Sequence, residues 1–88
     1  MHEAKLIRDL VAEVDSVARQ NSANRVSVVR IEIGKDSHVT PASLEGQFEV
    51  LAYGSLAQGA DLEITHSGDA KASDPFDVRI ISIVVEEA

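Results

Sequence analysis

Apolar residues along the chain fall into five runs, and their period changes from one run to the next. Over residues 4–20, Leu6, Ile7, Leu10, Val11, Val14, Val17 and Ala18 recur at i, i+3, i+4 and i+7. This spacing gathers them on one broad helical stripe, with Arg8, Asp9, Glu13, Asp15 and Arg19 largely on the other side. The polar stretch QNSAN at 20–24 ends the helix. Residues 26–33, VSVVRIEI, alternate instead: Val29, Ile31 and Ile33 face one way, Val28, Arg30 and Glu32 the other. Gly34 closes that strand, and KDSHV follows as a loop. Thr40-Pro41 is a helix start, since threonine can cap free N–H groups and proline suits the first helical position. Leu44, Phe48, Leu51 and Ala52 form the second stripe and Gly54 a C-terminal stop, which predicts a helix over about 41–53. Alternation returns in ADLEITH at 60–66, and SGDAKASDPF at 67–76 reads as a loop. The last strand, DVRIISIVVE at 77–86, is apolar on both sides: Val78, Ile80 and Val84 on one, Ile81, Ile83 and Val85 on the other. Such a strand is expected at the centre of a sheet, or with its second face covered by a partner.

The order αβαββ predicts a single α+β domain over residues 1–88, with two helices packed on one face of a three-stranded mixed sheet. The first two strands, joined through a helix, are expected to run parallel, with a right-handed crossover if they share the sheet. The loop is long enough for the second and third strands to pair directly or to flank the first. No repeat, low-complexity tract or second domain is visible.

Composition narrows the function. Net charge is −7, and basic residues are scattered singly. There is thus no electrostatic footprint for nucleic acid or an anionic membrane, while a cationic partner or metal suits the balance. The chain has no cysteine, which excludes disulfides and thiolate metal sites. Charges at Glu3, Lys5, Arg8 and Asp9 interrupt any signal-peptide core, and no apolar run is long enough to span a membrane, so the expected location is the cytoplasm.

No catalytic constellation stands out. No serine sits in a nucleophile elbow, the glycines are isolated, and the carboxylates fall mostly on solvent faces. A non-catalytic protein is expected, an acid/base enzyme built on His38 and a nearby carboxylate being the residual alternative.

The opening Met1-His2-Glu3 carries more specific chemistry. Met1 is expected to be retained, because His2 is bulky. Its amine titrates near ~7.7–8.0, so a metal can compete with the proton at neutral pH. The amine and the His2 amide nitrogen can close a five-membered chelate ring, and that amide with imidazole Nδ1 a six-membered one. The fourth position can come from the backbone or carboxylate of Glu3. A planar, nitrogen-rich set suits Ni(II) or Cu(II). The plain alternative is that His2 and Glu3 only begin the helix, Glu3 complementing its dipole.

Several stretches, in order, resemble the hydrogenase nickel-incorporation family, the HypA/HybF metallochaperones. They are MHE at the start, VSVVRIEIGKDSHVTPASLEGQFEVL, YGSLAQGADLEI and the closing DVRIISIVVEE, together covering about residues 1–66 and 77–87. The resemblance implies an αβαββ nickel domain, normally with a zinc domain of two C-x-x-C pairs inserted before the last strand. Here loop 67–76 stands in its place, and without cysteine no zinc is expected. The resemblance also implies Ni(II) held by Met1 through its amine, His2 through backbone and imidazole, and Glu3 through backbone or carboxylate. It implies maturation of a nickel enzyme, a hydrogenase or alternatively urease, with the pathway's GTPase and the enzyme's large subunit as partners. His38 is either an added ligand or an exposed loop histidine, and His66 is expected to be a leftover exposed residue. The competing expectation is an interaction or scaffold module that keeps the fold, has lost metal delivery and pairs as a homodimer or with another chain through its last strand.

Overall fold

The structure is a computed structural model that describes residues 3–66 and 78–87. Its elements are α1 (Glu3–Gln20), β1 (Ala23–Ile33), α2 (Pro41–Leu51), β2 (Asp61–His66) and β3 (Val78–Glu87). The expected α+β fold is present: one three-stranded mixed sheet in the order β2-β1-β3, with β1 parallel to β2 and antiparallel to β3. Residues 67–76, expected to form a loop, lie outside the described residues.

Helix α1 buries Ile7, Leu10, Val11, Val14 and Ala18, the positions that the 3.6-residue period brings together. Val17 lies at the margin of the stripe and is exposed. Pairs one turn apart, Lys5–Asp9 at 3.1 Å and Asp15–Arg19 at 2.8 Å, lie along the helix's wetter side. The helix stops at Ser22, which takes φ 57° and donates its N–H to the Arg19 carbonyl at 3.1 Å. This is the left-handed stop that glycine usually provides.

Strand β1 is the central strand, and it begins three residues earlier than its alternation suggests. The reason is a bulge. Val26 pairs with Val85 and Val28 with Val84, so Ser27 is an extra residue, and its hydroxyl donates to the Val84 carbonyl at 3.2 Å. The bulge resets the phase, so that Val26, Val29, Ile31 and Ile33 all point into the core.

The last strand corrects two expectations. It is an edge strand, not a central one, and it does not have two apolar faces. Arg30 pairs with Ser82 and Ile31 with Ile80, so Ile81 is bulged out of the ladder. Either side of that irregularity Val78, Ile80, Ile83 and Val85 pack on the same core, while Ile81 and Val84 remain exposed. A bulge within one amphipathic strand reads in sequence as a strand apolar on both sides.

The face of the sheet away from the helices is polar. Arg25–Glu86 at 3.1 Å, Arg30–Glu63 at 2.9 Å and Glu32–Arg79 at 2.8 Å cross between neighbouring strands. Each such pair is worth at most about 1 kcal/mol, and together they keep this face solvated and in register.

Helix α2 starts as expected. Thr40 is extended, at φ −101° and ψ 156°, its Oγ1 accepts from Ser43 N–H at 3.1 Å, and Pro41 follows. Leu44 and Phe48 enter the core. The helix ends two residues sooner than expected, at Leu51, because the chain turns through Ala52 into a short stitched segment. There the Leu56 carbonyl accepts from Val26 N–H at 2.8 Å, and Leu56 N–H donates to Asp15 Oδ1 at 2.9 Å. The segment entering β2 is thereby tied to both α1 and β1.

Candidate functional site

The topology brings the first turn of α1 against the first two turns of α2. Glu3 opens α1 and is half-buried. Its Oε2 accepts a hydrogen bond from Ser43 Oγ and a second from Gln47 Nε2 at 2.8 Å. Gln47 Nε2 also donates to Ser43 Oγ at 2.9 Å. The three polar groups close a ring across the two helices, and Ser43 is itself held by the Thr40 cap through its backbone.

Local sequence explains why these side chains meet. Ser43 and Gln47 are four residues apart, hence on one face of α2, and Leu44 and Phe48 beside them anchor that helix in the core. Ile7 and Leu10 bury the same end of α1. Core packing thus sets the two helices side by side, and the polar ring forms where their starts adjoin.

Of the residues expected to hold metal, Met1 and His2 lie outside the described residues. Glu3 is in place, with its carboxylate committed to Ser43 and Gln47. His38 is exposed in the connection between β1 and α2, and His66 is exposed at the end of β2. Among the described residues, no three or more histidine, aspartate or glutamate side chains are grouped to hold a metal ion. Ser43 and Gln47 were not anticipated as partners of Glu3. Their four-residue spacing signals a shared helix face, but nothing local points that face at residue 3.

Elsewhere, an open cleft of ≈ 600 Å³ between α2 and the start of β2 is lined by Glu45, Glu49 and Asp61 with Phe48, Ala52 and Leu62. Its lining contains neither histidine nor hydroxyl nucleophile. No described helix is long and apolar enough to cross a membrane.

Comparison with known proteins gives a consistent result. The family model for hydrogenase/urease nickel incorporation, metallochaperone, hypA, matches residues 1–72. A hydrogenase maturation factor HypA from Dechloromonas aromatica (strain RCB) is 45% identical over 64 residues, 73% of this chain and 57% of that protein. A hydrogenase maturation factor HybF from Shigella boydii serotype 18 (strain CDC 3083-94 / BS512) is 36% identical over 66 residues, 75% of this chain and 58% of its own length. The chain thus spans little more than half the length of these curated relatives. The solution structure of the Ni metallochaperone HypA from Helicobacter pylori shares the fold, with a TM-score of 0.82 and 19% identity over all of both chains. With its family match covering most of the sequence and curated relatives above 40% identity, the chain belongs to the HypA family of hydrogenase/urease nickel-incorporation metallochaperones.

Proposed function

We propose that the protein is a non-catalytic nickel carrier that holds Ni(II) at its N-terminal Met1-His2-Glu3 and passes it on during maturation of a nickel enzyme. The observation that carries this reading is the family match, which begins at residue 1 and includes MHE intact. The chemistry agrees with it: a terminal amine, an amide and an imidazole form adjacent chelate rings, the donor set that Ni(II) takes in planar geometry. A site at a chain end also suits transfer, because its ligands can change partner while the core stays folded. Residues 1–88 act as one nickel-binding-type domain, with 67–76 standing where the family's zinc domain is inserted. The absence of cysteine removes the thiolate ligands of that domain, so no zinc enters this reading. The cargo is received and handed over through contacts with a maturation GTPase and the large subunit of the nickel enzyme, a hydrogenase or urease, in the cytoplasm.

The proposed site is built from Met1, His2 and Glu3, and His38, exposed in the connection between β1 and α2, is the candidate for an added ligand. The test is calorimetric Ni(II) titration of protein with its native Met1 terminus, beside a His2→Ala variant, a His38→Ala variant and an N-terminally extended form. His2→Ala and the extended form should lose the site, and His38→Ala, by binding as the native chain does or more weakly, decides whether His38 is an added ligand. Equal binding by all four forms would sink the terminal assignment.

A further inference from the structure

We infer that Ser43 and Gln47 are positioning residues for the nickel-binding terminus: through the Glu3 carboxylate, α2 fixes the first turn of α1 from which Met1 and His2 extend. The inference rests on the terminal nickel site proposed above and adds to it a second element that the metal never touches.

The geometry supports this role in three ways. First, the contact reaches across the fold. Ser43 and Gln47 lie 40 and 44 residues from Glu3, so the link joins α1 to α2 instead of closing a local turn. Second, the donors are themselves held. Ser43 N–H is bonded to Thr40 Oγ1 at 3.1 Å, Gln47 Nε2 reaches Ser43 Oγ at 2.9 Å, and Leu44 and Phe48 lock α2 into the core. Third, both donors use Oε2 of Glu3. The second carboxylate oxygen has no protein donor among the described residues, and the backbone of Glu3 is held with the side chain. Whichever atom of Glu3 meets the metal, its place is set by the ring.

The physical consequence is pre-organisation. The first turn of a helix lacks half of its hydrogen bonds and frays readily. A chelate built on residues 1–3 must order that turn when it binds. The Glu3–Ser43–Gln47 ring orders it beforehand. Freeing the glutamate side chain alone corresponds to a loss of nickel affinity on the order of tenfold.

The experiment uses the full chain with its native Met1 terminus. Ni(II) affinity is measured for the native protein, Ser43→Ala/Gln47→Ala, Ser43→Thr and His2→Ala, and each variant's thermal midpoint is recorded. Hydrogen exchange is followed at the amides of Ile7 and Arg8, which bond the carbonyls of Glu3 and Ala4 in a regular helix. The double variant should bind nickel roughly tenfold more weakly, with faster exchange at Ile7 and Arg8 and unchanged exchange from Leu10 to Ala18. Ser43→Thr keeps the hydroxyl and should restore native affinity. If the double variant does not fold, the single changes Ser43→Ala and Gln47→Ala carry the same expectation with smaller losses. Native affinity in a folded double variant, with binding abolished by His2→Ala, overturns the positioning role and leaves the terminal site standing. Native affinity in His2→Ala overturns both.

Discussion

Asp15 is the side chain through which α1 holds the segment that leads into β2, and replacing it tests how that segment is secured. Its Oδ1 accepts from Leu56 N–H at 2.9 Å and its Oδ2 from Arg19 Nε–H at 2.8 Å. The two contacts have different weights. The Arg19 side chain is 63% exposed, so its ion pair is worth at most about 1 kcal/mol. The Leu56 contact is part-buried and ends on a backbone amide with no other acceptor among the hydrogen bonds described. A charge-assisted bond to such an amide contributes about 1.5–3 kcal/mol, and the partial exposure of Asp15 argues for the lower part of that range. Asp15→Ala should therefore cost about 1.5–2.5 kcal/mol in all. Asp15→Asn keeps an oxygen for Leu56 but gives up the charge assistance and the ion pair, so it should cost about 1 kcal/mol, less than Asp15→Ala.

Thermal and urea unfolding of the three proteins decide the matter. In a domain of this size each kcal/mol moves the midpoint by about 4–8 °C, so the two substitutions should separate clearly. The pH dependence supplies an independent check. The Arg19 hydrogen bond first, then the Leu56 amide, hold the Asp15 carboxyl below its ordinary value of 3.8, while burial pushes the other way. The folded value is thus the lower one. The stabilisation is complete above the unfolded value and is lost as pH falls through the folded value. The gap between native protein and Asp15→Asn should be full at neutral pH and close in strong acid. A loss for Asp15→Asn as large as that for Asp15→Ala, or a gap that persists in strong acid, would refute the assignment of the backbone bond as the main contribution.

Three further outcomes follow from particular positions. Ile31 is fully buried and Arg30, its neighbour in β1, faces solvent; Ile31→Ala should cost about 2–5 kcal/mol in denaturant unfolding and Arg30→Ala under about 1. Ser22 stops α1 in the left-handed region at φ 57°, so Ser22→Gly should raise stability by up to about 1 kcal/mol, read as a higher thermal midpoint. Thr40→Ala removes the acceptor for Ser43 N–H and should cost about 1 kcal/mol of stability by the same measurement.

The parts of the fold legible in the sequence are those fixed by short-range period and capping. Ile7, Leu10, Val11 and Val14 repeat within one helix, and Thr40-Pro41 announces another, so both helices and their buried faces could be read directly. The two-residue alternation of β1 and β2 was legible for the same reason. The failures came where a strand departs from its period. Ser27 and Ile81 are each one residue too many for the ladder, and a single extra residue exchanges the faces of everything beyond it. Alternation counted without those bulges turned β3 into a doubly apolar strand and suggested a central place for it. At the candidate site, the chelating capacity of MHE follows from bond counting along the backbone and needs no fold. The Glu3–Ser43–Gln47 ring joins residues 40 and 44 positions apart, and polar residues on a helix surface are by default solvated. Only the packing of α1 against α2 could reveal it.

Strand order also bears on whether the frame depends on anything placed between β2 and β3. His66, the last residue of β2, and Val78, the first of β3, both pair with Ile33 at the same end of β1. The link between them has only to pass from one side of β1 to the other, roughly 10 Å or two strand spacings. The 11 intervening residues can extend to about 36 Å. The span is therefore within reach of the chain, and among the described residues the buried core, from Ile7 to Val78, lies in the helices, strands and short connections. A zinc domain at this point would sit on a frame that already holds its own register on both sides of β1. Metal chelation should accordingly leave the cooperative thermal transition where it is. The measurement is calorimetric melting with and without excess EDTA, on protein never exposed to added metal. A midpoint lowered by several degrees in EDTA would mean that a bound ion supports the fold, and would overturn a frame that stands without metal.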